Sequence, residues 1–138
     1  MRVRAIALAA FCCVVFLAGC AGTSATQFTA RPGERFTMHR TATSTGSLSD
    51  LASQVTTDTL LRNRGAKLLK AQPFAPCPGE AGEQTFTLSG PQGAQVLRVG
   101  FTQWNGRTTV VSYRRPARAG DDPQALEAMR RSLCSAVL

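Results

Sequence analysis

The sequence predicts an α+β fold, an antiparallel sheet of about five strands with two helices packed on it. Three observations carry that expectation. Asn105-Gly106 separates two long strand-like runs, and this dipeptide is the strongest short hairpin signal because a type I′ turn needs positive φ at both central positions. Two stretches, opening near Ser47 and Asp122, each follow a capping group and repeat apolar residues at helical spacing. Shorter runs that alternate polar and apolar residues fill most of the remainder, separated by Gly- and Pro-rich turns.

The elements follow in order. Residues 35–41 open on Arg-Phe-Thr-Met, an alternation that makes a short strand with Phe36 and Met38 inward. Ser47 and Asp50 are spaced as a capping box, and Leu48, Leu51, Ala52, Val55 and Thr59 then form one helical stripe. Leu60 and Leu61 fall off that stripe and are expected to pack under the next connection. Arg62-Asn63-Arg64 places positive charge in the last turn, and Gly65 stops the helix. Residues 66–70 read as a short strand. Pro73, Pro76 and Pro78 then impose a stiff loop around Cys77, in which Glu80 and Glu83 are expected to be solvated.

Residues 84–88 alternate strictly, and Ser89-Gly90-Pro91-Gln92-Gly93 is a turn. Residues 95–104 and 107–115 are the hairpin strands. A two-residue turn sets Trp104 opposite Arg107, Thr102 opposite Thr109, Gly100 opposite Val111 and Arg98 opposite Tyr113 on one face. The other face pairs Phe101 with Val110 and Val99 with Ser112, adds Leu97, and is the expected core side. Asp121-Asp122-Pro123 opens the last helix, with Leu126, Met129, Leu133 and Val137 on one side and Cys134 beside them.

The N-terminus locates the protein. Met1-Arg2-Val3-Arg4 is a short positive segment and residues 5–16 are apolar, the order of a secretory signal peptide and too short to span about 30 Å of hydrocarbon comfortably. Leu17-Ala18-Gly19-Cys20 resembles the lipobox of bacterial lipoproteins. That resemblance implies cleavage before Cys20, a diacylglyceryl group on its sulfur and acylation of the freed amine. Two or three chains on one residue anchor firmly, where a single chain binds only marginally. Ala21 stands where the family's inner-membrane retention pattern has Asp, which implies the outer membrane facing the periplasm, or the outer face of the plasma membrane in an organism with only one. An ordinary cleaved signal peptide with an incidental Cys20 is the alternative. Residues 1–19 are thus the expected signal, 20–33 a lipidated flexible leader of small and polar residues, and 34–138 a single α+β domain.

Lipidation of Cys20 and loss of Cys12 and Cys13 leave Cys77 and Cys134 as the thiols in an oxidising compartment, which suggests one disulfide. They lack C-x-x-C spacing, and the chain's one histidine, His39, is too little for a zinc site, so neither metal nor cofactor is expected. Removing Arg2 and Arg4 from the 16 basic residues leaves 14 against eight acidic ones. A basic, mostly Arg-bearing chain held at a membrane is drawn to anionic lipid, to lipopolysaccharide or to an acidic envelope protein. The hairpin face with Arg98, Trp104, Arg107, Tyr113 and Arg115 is the candidate surface for such a partner, because guanidinium groups set against aromatic rings grip phosphate, sugar or peptide. Such ladders also arise simply to stiffen a hairpin.

The order of elements, with Gly65 to Leu69 after the helix, Cys77-Pro78-Gly79-Glu80-Ala81-Gly82 before a strand and Ser132-Leu133 near the end, resembles the PsbP-like α/β/α domains. The resemblance implies a sandwich fold and a role as adaptor or assembly factor more than enzyme. No P-loop, G-x-G-x-x-G, H-E-x-x-H, C-x-x-C-H or G-x-S-x-G is present. Nucleic-acid binding fits the charge but has no motif. Two readings follow: a non-enzymatic, lipid-anchored envelope protein of binding or assembly type, or a small envelope hydrolase using His39 with an Asp or Glu.

Overall fold

A computed structural model describes residues 29–41, 46–77, 81–104 and 106–134. The lipobox Leu17-Ala18-Gly19-Cys20, the first part of the leader, Glu80, Asn105 and Val137 lie outside these residues. In chain order the elements are β1 (Arg35–Thr41), α1 (Leu48–Arg62), β2 (Lys67–Pro73), β3 (Ala81–Gly90), β4 (Gly93–Trp104), β5 (Arg107–Pro116), a 3-10 turn (Ala117–Ala119) and α2 (Pro123–Cys134). The five strands form one antiparallel sheet in the order β1-β5-β4-β3-β2, so the fold is α+β as the sequence predicts. Neighbours in the chain pair as hairpins except at β1, which crosses to the far side of β5.

The register of the central hairpin is the expected one: Trp104 faces Arg107, Arg98 faces Tyr113 and Phe101 faces Val110. Both faces of that hairpin are covered. On one, α1 lays Leu48, Leu51, Ala52 and Val55 over Phe86, Leu88, Leu97, Val99 and Phe101. On the other, Ala125, Met129 and Leu133 of α2 cover Val111 and Tyr113, with Phe36 and Met38 of β1 joining them. The result is helix, sheet, helix.

Local chemistry accounts for the helix positions. Ser47 and Asp50 close the capping box at the start of α1. The buried Gln84 of β3 then clamps α1 to the sheet, its Nε2 donating to Ala52 O at 2.9 Å while its Oε1 accepts from Thr56 Oγ1 at 3.1 Å. For α2, Asp122 Oδ1 accepts from the N–H of Gln124 at 3.0 Å and Pro123 takes the first helical position. Gly100 and Gly82 allow close approach: a Cβ on Gly100 would stand 2.6 Å from Leu133 Cδ1, and one on Gly82 would stand 2.6 Å from the Phe101 ring. Cys134 at the end of α2 is bonded to Cys77 in the β2–β3 loop, with the Cα atoms 5.1 Å apart.

Three local expectations change. Leu60 and Leu61 do not tuck under the following connection but remain exposed. The second strand starts at Lys67 and continues to Pro73, made possible because β2 is an edge strand on which a proline's missing N–H disturbs no inner ladder. Glu83 belongs to β3, not to the loop, and is buried.

Candidate functional site

The five hairpin residues do not share one open face. Tyr113 is fully buried beneath α2, and its hydroxyl accepts from the N–H of Asp122 at 3.2 Å. Arg98 is drawn inward by the buried Glu83, to which its Nε donates at 2.8 Å, while its Nη1 reaches Asp121 at 2.8 Å. Arg115 donates from Nε to the other Asp121 oxygen at 2.6 Å. Only Trp104 and Arg107, paired at the hairpin end, stay exposed. The residue pattern is right in register but wrong in exposure, because two acids, Glu83 and Asp121, satisfy Arg98 and Arg115 and a helix covers the tyrosine.

This network is structural. Burial works against the Asp121 charge, but the hydrogen bond from Arg115 and the field of Arg98 outweigh it and hold the carboxyl below its ordinary pKa. Burial likewise opposes the Arg98 charge, and Glu83 and Asp121 more than offset it, raising the guanidinium's pKa. Both charges are therefore committed to each other, and α2 is tied at its start to β3, β4 and β5.

The uncommitted chemistry lies on the opposite face. There α1 covers β3 and β4 but leaves β5 and β1 open, so a cleft of about 610 Å³ runs between α1 and the outer two strands. Strand alternation places Arg35, Thr37, His39 and Thr41 of β1 beside Thr108, Val110, Ser112 and Arg114 of β5 along its floor. Asp58 and Arg62 of α1 and its C-cap Asn63 form the wall. Arg114 Nη2 donates to Asn63 Oδ1 at 3.0 Å, and the Thr37 and Ser112 hydroxyls are hydrogen-bonded to each other across the strands. Arg35 and Arg62 make no ion pair among the described residues.

The cleft therefore presents three guanidinium groups against one carboxylate, with hydroxyls between them. Guanidinium forks grip carboxylate or phosphate oxygens in pairs. His39 lines the cleft with Asp58, yet no hydrogen bond links the two among the described residues. No cluster of His, Cys, Asp and Glu suited to a metal ion occurs among the described residues, and no helix among them is long and apolar enough to cross a membrane. Sequence reasoning assigned Arg35 and Arg62 no site. The available signal was the second face of β1 and β5, polar at every alternate position except Val110 and too wide for one 15-residue helix to cover along with β3 and β4.

No family model matches the chain, and no curated protein matches it. Among solved structures, it is similar to a Pseudomonas aeruginosa protein of unknown function described as a candidate regulator, with 14% identity and a TM-score of 0.51. The match covers 64% of this chain and 64% of that protein, so the chain spans under two thirds of that protein's length. At this identity the likeness concerns the fold alone.

Proposed function

We propose that the chain is a lipid-anchored bacterial cell-envelope protein of binding type, which takes an anionic group of its ligand into the cleft between α1 and the β1–β5 strands. The observation that carries the reading is the cleft itself, which Arg35, Arg62 and Arg114 all line and where Arg35 and Arg62 have no acidic partner among the described residues. The tether rests on the lipobox-like Leu17-Ala18-Gly19-Cys20, and outer-membrane location facing the periplasm rests on Ala21 after the cysteine. Helices on both faces of an antiparallel sheet support the PsbP-like resemblance and, with it, an adaptor or assembly role.

Both parts have a direct test. Cys20→Ala should abolish fatty-acid labelling and release the protein from the membrane fraction; unchanged labelling would remove the tether. Titration with inorganic phosphate or pyrophosphate should shift the His39 imidazole resonance, a single reporter because the chain has one histidine, and the shift should vanish in Arg35→Gln with Arg114→Gln. A shift that persists in that variant, or none in the natural chain, would remove the anion site. The hydrolase reading has one observation in its favour, that His39 and Asp58 line the same cleft. Any hydrolytic activity that survives His39→Ala disposes of it.

A further inference from the structure

Among the described residues five large apolar side chains are markedly exposed, and four of them fall within ten residues of one another: Leu60 at 41%, Leu61 at 79%, Leu68 at 43% and Leu69 at 68%. They occupy the corner where α1 ends and β2 begins. The charged residues interleaved with them are all cationic: Arg62, Arg64, Lys67 and Lys70. None of the four makes an ion pair among the described residues. The corner is also held in shape, since Asn63 N–H donates to Thr59 O and Ala66 N–H donates to Asn63 O, both at 3.0 Å, while Gly65 takes φ 81° to complete the turn.

This corner lies at the end of the sheet where the N-terminal leader arrives. Arg35, the first residue of β1, pairs with Arg114, and Arg114 bonds to Asn63 in the corner. Gly33 to Arg35 and Asn63 to Arg64 border one hollow. The leader does not arrive loosely: Arg31 Nη2 donates to Gly120 O at 3.1 Å and its Nε lies 3.6 Å from an Asp122 oxygen. Ten residues separate Cys20 from Arg31, a reach of roughly 35–40 Å when fully extended.

We infer that the α1–β2 corner is a membrane-contact face, which seats its exposed leucines at the interface of the anionic bilayer holding the Cys20 lipid while Arg64, Lys67 and Lys70 meet lipid phosphates. The inference rests on the lipid-anchor reading. An apolar surface ringed by cations is the composition that binds at a bilayer interface, where area burial and attraction to anionic headgroups add. The rival occupant is a second copy of the chain pairing along the open β2 edge. Lys67 and Lys70 on that edge oppose such pairing, since charge repels a strand carrying the same residues.

The test uses the full lipidated chain in vesicles whose acyl chains carry bromine, a contact quencher of indole fluorescence. Trp104, the only tryptophan, sits at the opposite end of the sheet and should stay unquenched. Leu61→Trp in a Trp104→Phe background should be quenched in phosphatidylcholine vesicles holding about 30 mol % phosphatidylglycerol, an anionic surface. The quench should fall away in pure phosphatidylcholine, and also in about 0.5 M salt, where the Debye length is near 4 Å. Each cation near an anionic surface is worth about fivefold in binding. Arg64→Gln with Lys67→Gln and Lys70→Gln, none of which lines the cleft, should therefore lower the docked-to-undocked ratio on the order of 100-fold.

Flotation with the vesicles reads the anchor separately. A chain that floats while the position-61 indole stays bright overturns the face and leaves the anchor standing. A natural chain that proves to carry no lipid, yet whose position-61 indole is quenched by anionic vesicles, supports the face and removes the anchor. Quenching equal in both lipids, or a dimer that protects the β2 amides from exchange in place of bilayer contact, overturns the proposal.

Discussion

Gly100 lies mid-strand in β4, on the hairpin face that α2 covers. A Cβ there would stand 2.6 Å from Leu133 Cδ1 and 3.4 Å from Met129 Sδ. Carbon atoms in ordinary contact sit about 3.5–4.0 Å apart, so Gly100→Ala demands about 1 Å of relief. Leu133 and Met129 are both fully buried and have no solvent side to turn toward. On an open face the same substitution would raise stability, because glycine weakens a strand by roughly 0.5–1 kcal/mol through backbone entropy. Overpacking of a filled core costs about 1–3 kcal/mol, and Gly100→Ala is expected near the middle of that range. Leu133→Ala alone should cost about 2–5 kcal/mol through lost burial and a cavity. In the double variant the new methyl enters space that Leu133 has left, so the combined loss should fall short of the sum by about 1–2 kcal/mol. Urea unfolding of the four oxidised proteins, followed by far-ultraviolet dichroism, gives the cycle. A neutral or stabilising Gly100→Ala, or strict additivity, would mean that α2 does not rest on this face.

Two further outcomes test the packing of α2. Asp121→Asn keeps the shape but removes the charge shared by Arg98 and Arg115; it should lose about 1–2 kcal/mol at neutral pH, less than a fully buried pair because the carboxylate is partly exposed. Since the Asp121 pKa is depressed in the folded protein, its contribution is whole above the ordinary value of 3.8 and is lost as pH falls through the lower folded value. Melting temperature measured from pH 7 to about 2 should therefore drop less steeply at the acid end in the Asn variant; identical slopes would contradict the network. Cys77 and Cys134 are 57 residues apart, and loop entropy assigns their bond about 4 kcal/mol. Reductant should lower the urea midpoint of the natural chain and leave that of Cys77→Ser with Cys134→Ser unmoved.

The hairpin shows why register was legible and exposure was not. Turn chemistry at Asn105-Gly106 and alternation along residues 95–115 are local, and together they specify which residues face each other across the strands. Whether a face meets water depends on what packs on it, and that is decided by residues far away. Arg98 and Arg115 look like surface groups until Glu83, 15 residues away from Arg98, and Asp121 are placed beside them. A cue did exist: Gly100, Thr102, Thr109 and Val111 on that face are small, as a surface must be to admit a helix closely, and the final helix had an apolar side with no other sheet face to cover.

The same reasoning explains the missed cleft. One helix has about 10 Å of width, roughly two strand spacings. With α1 committed to β3 and β4 by its stripe and by Gln84, the face of β5 and β1 on that side had to remain open. Its residues agree with that outcome, for Thr37, His39, Thr41, Thr108 and Ser112 are what an uncovered strand face carries. A sheet of five strands is wider than one helix, so α1 leaves β2 uncovered on one flank and β5 with β1 on the other. The flank of β5 and β1 is where Arg35, Arg62 and Arg114 gather, so the position of this cleft follows from where the helix stripe lands rather than from any local motif.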